Sequence, residues 1–253
     1  MKIINKKKND TDKYDLAEFF HNNTEQNQIN IKNHAKQIEE YYNDNNHKPI
    51  NYPYSKRVDL PKTFFSYKNI QKIIINRKTR RDFSLSKKIS LKEISKILSL
   101  SYGKKKTGDK LFSTIPSAGA IYPLHIYLIS LKTDLENGLY HYYFENNFLD
   151  TIRLESTKEK ELDKLIITRG IKGKIPLYIA ITADLRNLCS KYGDRGYRFA
   201  LLEAGHLGQN ILLTAECLKL RAVPFGGFYD RHLAKFLSVD YTYNKPLYVI
   251  GIG

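Results

Sequence analysis

The sequence predicts an α+β fold. Three observations carry that prediction. Short apolar, β-branched runs are interleaved with helix-capping signatures. Helices and strands do not follow the strict order of a parallel βαβ fold. The stretch from Phe199 to Leu220 is apolar on most faces, so it reads as a helix buried nearly all round. Lys191, Asp194, Arg195 and Arg198 stand just before or at its start, and a strand ending in Gly226-Gly227 follows it. Ala200, Ala204 and Gly208 form a smooth stripe along it, which suits a packed helix pair or a subunit interface.

With 253 residues, the chain is long enough for one large domain or two small ones. Its formal net charge of +16 favours an anionic partner, without choosing among nucleic acid, a phosphate-bearing cofactor, anionic lipid and acidic peptide. Cys189 and Cys217 are the only cysteines, and no CxxC exists, so neither a zinc site nor a disulfide framework is indicated. The N-terminus has no apolar core of a secretory signal. Apolar runs such as Leu177 to Ala183 fall far short of the about 20 residues that span a bilayer. The expectation is a soluble, cytoplasmic protein with no membrane and no nucleic-acid partner.

Residues 1–62 are polar and read as an arm packing on the core, with short helices at Tyr14–Phe20 and His34–Tyr42 and a disordered first ten residues. Residues 63–253 form the main domain. Ser66 caps a helix with Ile70, Ile73 and Ile74 on one face. That helix leads into Arg77-Lys78-Thr79-Arg80-Arg81, a cation cluster with a hydroxyl that can grip a phosphate, or simply a solvated charge run. Ser90 and Glu93 form a capping box for a helix with Leu91, Ile94, Ile97 and Leu98 inward, stopping near Gly103. Lys104 to Lys110 is a basic loop.

Next comes Pro116-Ser117-Ala118-Gly119-Ala120, small residues that let a flat ligand approach the backbone, or form a plain turn. Strands follow at His125–Leu131 and Leu139–Phe144, with Asn137-Gly138 as hairpin turn, and at Phe148–Leu154. Ser156 and Glu159 cap a helix running to about Ile167. Leu177–Thr182 is a central strand, Ala222–Phe225 another, and Leu247–Ile252 the last. Asp230 caps a short helix to Leu237.

Several chemistries are excluded. There is no GxGxxG after a strand, no GxxxxGK[ST] and no GxSxG. Glu203 and His206 make half of a di-iron motif without its second copy, so no metal is expected, and the two pair with each other or with a polar core neighbour.

The ordered set RKTRRDF (77–83), SAGAIYP (117–123), GLYHY (138–142), KYGDRGYRFALLEAGHLGQN (191–210) and GGFYD (226–230) resembles the nitroreductase-like flavoproteins. It is most similar to the SagB-type branch, the azoline dehydrogenases of thiazole/oxazole-modified peptide biosynthesis. The resemblance covers about residues 63 to 251. It implies a mixed central sheet flanked by helices and a homodimer with FMN at the interface. By this resemblance Arg77, Lys78, Thr79 and Arg81 hold the FMN phosphate and the pyrimidine edge. Pro116, Ser117, Ala118, Gly119 and Ala120 reach the flavin from the opposite subunit, and Gly226 and Gly227 lie near its N5 edge. Relatives often place a basic residue from a C-terminal tail on the phosphate. This sequence closes on Ile250-Gly251-Ile252-Gly253, so the expectation is either that Arg77 and Lys78 serve, with Arg169, or that the cofactor is held more weakly than in relatives.

The resemblance further implies that a cyclodehydratase complex makes thiazolines or oxazolines in a precursor peptide. This protein then oxidises them to azoles, in bacteriocin-type biosynthesis. Lys191 and Tyr192 match the branch's catalytic pair. Both are protonated at neutral pH when free, so the pocket must favour a neutral lysine or a tyrosinate for either to accept the ring proton. Two alternatives share the fold: an NAD(P)H-dependent nitro- or quinone reductase, and a non-catalytic scaffold of the modifying complex.

Overall fold

The computed structural model describes Phe20, Lys36, Glu39, Glu40, Tyr52 and residues 55–62, 70–107, 110–154, 159–168 and 170–253. The first ten residues, nearly all of the two N-terminal helices, the Ser66 and Ser156 caps, and Arg169 lie outside these described residues.

The strands are β1 (Lys56–Asp59), β2 (Asp82–Phe83), β3 (Lys104–Thr107), β4 (Lys110–Ser113), β5 (Leu124–Ser130), β6 (Gly138–Tyr143), β7 (Phe148–Leu154), β8 (Lys172–Gly173), β9 (Leu177–Asp184), β10 (Ala222–Phe225) and β11 (Asn244–Ile252). The helices are α1 (Ile70–Asn76), α2 (Leu91–Tyr102), α3 (Glu159–Leu162), α4 (Leu185–Tyr192), α5 (Arg195–Cys217) and α6 (Asp230–Phe236). Seven strands form the central sheet in the order β1-β7-β6-β5-β9-β11-β10.

The α+β class holds, but the sheet implied to be mixed is antiparallel at every pairing. The reason is the last strand. The crossover through α4 and α5 returns β10 in the same direction as β9. β11 then inserts between them, antiparallel to both, so no parallel pair forms. β9 is buried along seven of its eight residues, as its continuous apolar run requires. One face of the sheet carries α2, α4 and α5 over a core that includes Ile97, Leu188, Ala200 and Ile211. The other carries α3 and α6, whose Leu162, Leu233 and Leu237 pack against Tyr178 and Val249.

Local chemistry explains most boundaries. The Ser90 hydroxyl accepts from Glu93 N–H while Glu93 Oε2 accepts from Ser90 N–H, so the predicted capping box starts α2. Ile94, Ile97 and Leu98 are buried; Leu91 is only half-buried. Gly193, with a φ of 60°, closes α4 before α5 begins. Gly208 touches β11: an added Cβ would stand 2.6 Å from the Tyr248 ring. Gly208 therefore seats α5 on the sheet, while α5 also packs against α2 and α4.

Five expectations are corrected. Lys104–Lys110 is not a loop, since β3 and β4 pair from Lys104↔Ser113 to Thr107↔Lys110. Two residues separate the paired ends and the first is glycine, the length that a tight hairpin needs. Asn137-Gly138 is not the β5–β6 turn, because Gly138 already pairs with Ser130. Residues 131–137 make the connection instead, held by Leu131 and Lys132 N–H donating to Pro176 O and by Leu135 N–H donating to the Thr133 hydroxyl. α3 stops at Leu162 rather than near Ile167, since Ile167 N–H is taken by Gly227 O. Asp230 is the first residue of α6 and not its cap. Lastly, α5 is not buried all round: Leu201 is 43% and Leu202 61% exposed. On α1, which contacts α5, Ile70, Ile74 and Ile75 are also exposed.

Candidate active site

α4 delivers the predicted pair. Asp184 starts the helix by accepting from Arg186 N–H, and Gly193 ends it just past Tyr192. Lys191 is 2% exposed despite its charge type, and its Nζ lies 5.3 Å from the Tyr192 ring centre. The Tyr192 ring in turn stands edge-on to Phe199 of α5, 5.1 Å away at 87°. Phe199 thus sets the ring's orientation from the next helix.

Both polar tips converge on the small-residue segment. A Cβ added at Gly119 would stand 2.5 Å from the Tyr192 hydroxyl and 2.6 Å from Lys191 Nζ. Only a glycine permits that approach. The segment is also strained. Ala120 and Tyr122 have φ of 54° and 51°, the left-handed region that side chains with a Cβ seldom adopt, while Gly119 takes its φ of 59° freely. Strain of that kind costs about 1–3 kcal/mol per residue and concentrates at functional sites. Tyr122 N–H donates to the Ser117 hydroxyl, and Ser113 N–H donates to the Tyr122 hydroxyl. Tyr102, Tyr122 and Phe144 stack into a cluster behind the turn. Pro116, Gly119 and Ala120 remain exposed, so the turn's outer surface stays open to a ligand.

Glu203 lies beneath this turn. It is 2% exposed, and neither carboxylate oxygen has a well-formed hydrogen bond. Burial pushes its pKa up to about 7; the Ser117 and Tyr102 hydroxyls oppose that shift in part, so they stand near it. His206 is exposed one turn on, so the expected Glu203–His206 pair does not form.

The predicted cations form a second group. Arg80 N–H donates to Ala222 O, which sets residues 77–81 beside the start of β10. Arg80 itself is paired with Glu216 at 3.2 Å. Among the described residues, no carboxylate pairs with Arg77, Lys78 or Arg81. Lys172 N–H donates to Arg81 O and Ile167 N–H donates to Gly227 O. Lys172 is thus tied to the cation segment and Ile167 to the Gly226-Gly227 turn. Nothing lies within 4 Å of a Cβ placed at Gly226. Two unpaired arginines, a lysine and the Thr79 hydroxyl suit a phosphate, and the open space at Gly226 suits a flat ring. These residues fit a flavin mononucleotide.

The cation segment and the Gly119 turn do not meet within one chain, and the Gly226-Gly227 turn lies between their levels, since Phe225 is in register with Val249 and Val249 with Ala180. Ala222 is in register with Ile252, Ile252 with Leu177, and Leu177 with Ser130, at one end of the sheet. The Gly119 turn leads into Leu124, paired with Ala183 at the other end. Six residues of β9 separate those levels, roughly 20 Å at a strand's rise.

The structure also holds features that sequence reasoning missed. Beyond the Glu203–Tyr102–Tyr122 cluster, a cleft of about 700 Å³ opens between β7, α3 and α6. Arg153, Lys164, Lys235, Tyr229 and Phe236 line it. Arg153 is fixed there by donating to Phe236 O and stacking on its ring. His125 Nδ1 and His141 Nε2 stand 3.3 Å apart inside the sheet, and burial pushes His125 down to about 4. No signal in the sequence pairs these residues. Of the two partners the sequence offered Glu203, it has the polar core neighbours, Ser117 and Tyr102, and not His206. Among the described residues, no helix is long and apolar enough to cross a membrane.

Comparison with known proteins agrees with this architecture. The protein is 32% identical over 185 residues to MJ1384 of Methanocaldococcus jannaschii, which is named as a nitroreductase; the match covers 73% of this chain and 90% of that one. It is 27% identical over 177 residues to the microcin B17-processing protein McbC of Escherichia coli, covering 68% of this chain and 65% of McbC. Among solved structures, the E. coli microcin synthetase McbBCD complex with truncated pro-MccB17 bound superposes with a TM-score of 0.59 at 23% identity. That match covers 93% of this chain and 85% of the other. Residues 74–253 match the Nitroreductase family. Seven tenths of the sequence, including every predicted site residue, falls within that match, and the chain belongs to the nitroreductase family.

Proposed function

We propose that this protein is an FMN-dependent dehydrogenase that oxidises thiazolines and oxazolines of a precursor peptide to thiazoles and oxazoles. The observation that carries the reading is the convergence of Lys191 Nζ and the Tyr192 hydroxyl on Gly119. A nitro-group reduction needs no base for a carbon acid, whereas azoline oxidation does. Similarity to a microcin-processing protein supports a peptide substrate.

Arg77, Lys78, Thr79 and Arg81 would hold the phosphate, with Gly226 and Gly227 against the ring. When bound, FMN supplies a two-electron acceptor. The chain's own work is proton transfer. Lys191 or Tyr192 takes the acidic proton from the ring carbon next to the carbonyl, while the other holds the acceptor in place. The buried lysine stem and the Phe199 edge contact fix that geometry. Pro116 to Ala120 offer backbone close enough to exclude water from the reacting face.

We further place the site between two copies of the chain. The cation group and the Gly119 turn lie at opposite ends of one sheet, and a homodimer brings one copy's cations to the other's turn. The exposed Ile70, Ile74, Ile75, Leu201 and Leu202 supply an apolar surface for it. The protein would act with a cyclodehydratase complex in the cytoplasm.

Purified protein is expected to be yellow, to release FMN on denaturation, and to remove two daltons from an azoline peptide. A preparation that stays colourless with added FMN, or that leaves the azoline mass unchanged, overturns the reading. One observation favours a second reading, an NAD(P)H-dependent nitro- or quinone reductase: the match to MJ1384 covers 90% of a protein named as a nitroreductase. Rapid bleaching of the bound flavin by NADPH, without azoline oxidation, would select it.

A further inference from the structure

We propose that the cleft between β7, α3 and α6 is a subsite for the peptide chain beside the azoline, and that it selects acidic residues there. The proposal rests on the peptide-oxidising reading above and names which peptides that site prefers.

The supporting geometry begins at the glycine turn. Ile167 N–H donates to Gly227 O and Tyr229 N–H donates to Leu165 O, on either side of the bridge between Ile166 and Phe228. Side chains along such a ladder alternate between its faces, and opposite residues share one face. Ile166 therefore points into the core, and Phe228 packs against it. Leu165, Ile167 and Tyr229 take the other face. Gly227 shares that face, since a Cβ added to it would stand 3.2 Å from Ile167 Cδ1. Exposure agrees: Ile166 is 0% exposed, whereas Ile167 is 46% and Tyr229 57%. Leu165 and Tyr229 also line the cleft. One surface thus runs from the glycine turn across Ile167 into the cleft. The two rungs stand two residues apart, roughly 7 Å at a strand's rise.

The chemistry of the lining names the occupant. Arg153, Lys164 and Lys235 bring three cations to it, against the carboxylate of Glu161. Among the described residues, no carboxylate forms an ion pair with Lys164 or Lys235. Arg153 is held in place, because it donates to Phe236 O and lies 5.0 Å from that ring's centre. A guanidinium already fixed loses little further freedom when it meets a carboxylate. Tyr229 and Leu165 add apolar surface beside the cations. At about 700 Å³ the cleft has the size of an ordinary ligand pocket. A peptide segment that carries carboxylates next to an apolar side chain matches both halves of this lining.

These cations are separate from the proposed phosphate grip, since none of Arg77, Lys78 and Arg81 lines the cleft. An extended chain advances about 3.3 Å per residue. With the azoline at the glycine turn, an acidic residue about two to five positions away therefore reaches the cleft. Ion pairs at such a partly open site are individually weak and screened by salt. Their effect is selection among peptides rather than tight binding.

The experiment compares two synthetic azoline peptides on the full-length, FMN-loaded protein. In one, aspartates stand about two to five positions from the ring on both sides; in the other they are asparagines. At low salt the aspartate peptide should bind about tenfold more tightly by calorimetry and show a correspondingly lower KM, the sum of two or three screened ion pairs. The difference should shrink above about 0.15 M salt. Lys164→Glu with Lys235→Glu should erase or reverse the preference while flavin content stays the same. Lys62→Glu with Lys92→Glu makes an equal charge change at exposed lysines on the α2 side and should keep the preference. Aspartates moved about ten residues from the ring, beyond the cleft's reach, should confer none. Equal binding of the two peptides, or a preference that survives the Lys164–Lys235 reversal, overturns the proposal. So does a reversal that weakens binding of NADPH and leaves the peptide preference intact, because the cations then serve a dinucleotide. Protein that prefers the aspartate peptide yet leaves both azolines unoxidised sinks the proposed function instead, and the subsite stands.

Discussion

Gly119 shows how much a single residue can decide. Its missing Cβ is the space in which Lys191 Nζ and the Tyr192 hydroxyl meet. Neither residue is needed to hold the cation group at the far end of the sheet. Lys191→Ala and Tyr192→Phe should therefore keep bound FMN and the thermal midpoint, while azole formation falls about a hundredfold, the usual scale for loss of a general base. Near-normal turnover by both variants, measured by mass spectrometry of the peptide, would remove the pair from the mechanism. Arg80 makes the opposite point. It sits among the phosphate-gripping cations, yet its guanidinium is committed to Glu216. The omission of Arg80 from the cofactor set rested on resemblance, and the ion pair supplies its physical reason.

At the scale of elements, α2 is the clearest case of local chemistry setting a boundary. Its cap satisfies two backbone N–H groups at once, and Lys87 adds an ion pair to Glu93 at 3.0 Å. That pair is largely solvent-facing and adds little. Ser90→Ala should cost about 1 kcal/mol, as N-cap losses do, read as a lower midpoint in urea with an unchanged slope. Because α2 carries Tyr102 to the Gly119 turn, the same variant should soften the site before the sheet opens. α5 is the contrasting case. Its apolar sequence was read as complete burial, but a helix seated on one sheet face can bury only the stripe that faces it. Leu201 and Leu202 point away and stay open.

For the whole molecule, that open face and the exposed isoleucines of α1 make the proposed dimer testable. Ile74→Glu with Leu202→Glu should turn a dimer into a monomer by light scattering at micromolar concentration, and flavin should be lost with it. A monomer that still binds FMN would show that one chain completes the site. The net charge of +16 is spread widely enough that the phosphate-binding segment accounts for only a small part of it. Among the described residues, Arg153, Lys164 and Lys235 gather three further cations, with Glu161, around the cleft between β7, α3 and α6.

Sequence alone was sufficient wherever the cause is local or periodic. The Ser90–Glu93 cap, the run that became β9, the strands at 148–154 and 222–225, and the break into α+β order all depend on neighbours within a few residues. The candidate site residues stand out as ordered motifs, because small residues, clustered cations and a Lys-Tyr pair keep their spacing along the chain. Three things belonged to tertiary structure. The antiparallel sheet depends on β11 inserting between β9 and β10, a contact between segments 60 or more residues apart in the case of β9. The burial of Glu203 beneath Ser117 depends on α5 crossing the turn before β5, which no helical periodicity encodes. The division of the predicted site into two groups at opposite ends of the sheet depends on strand register. A motif states which residues are present, but only packing against distant strands determines where each one comes to rest.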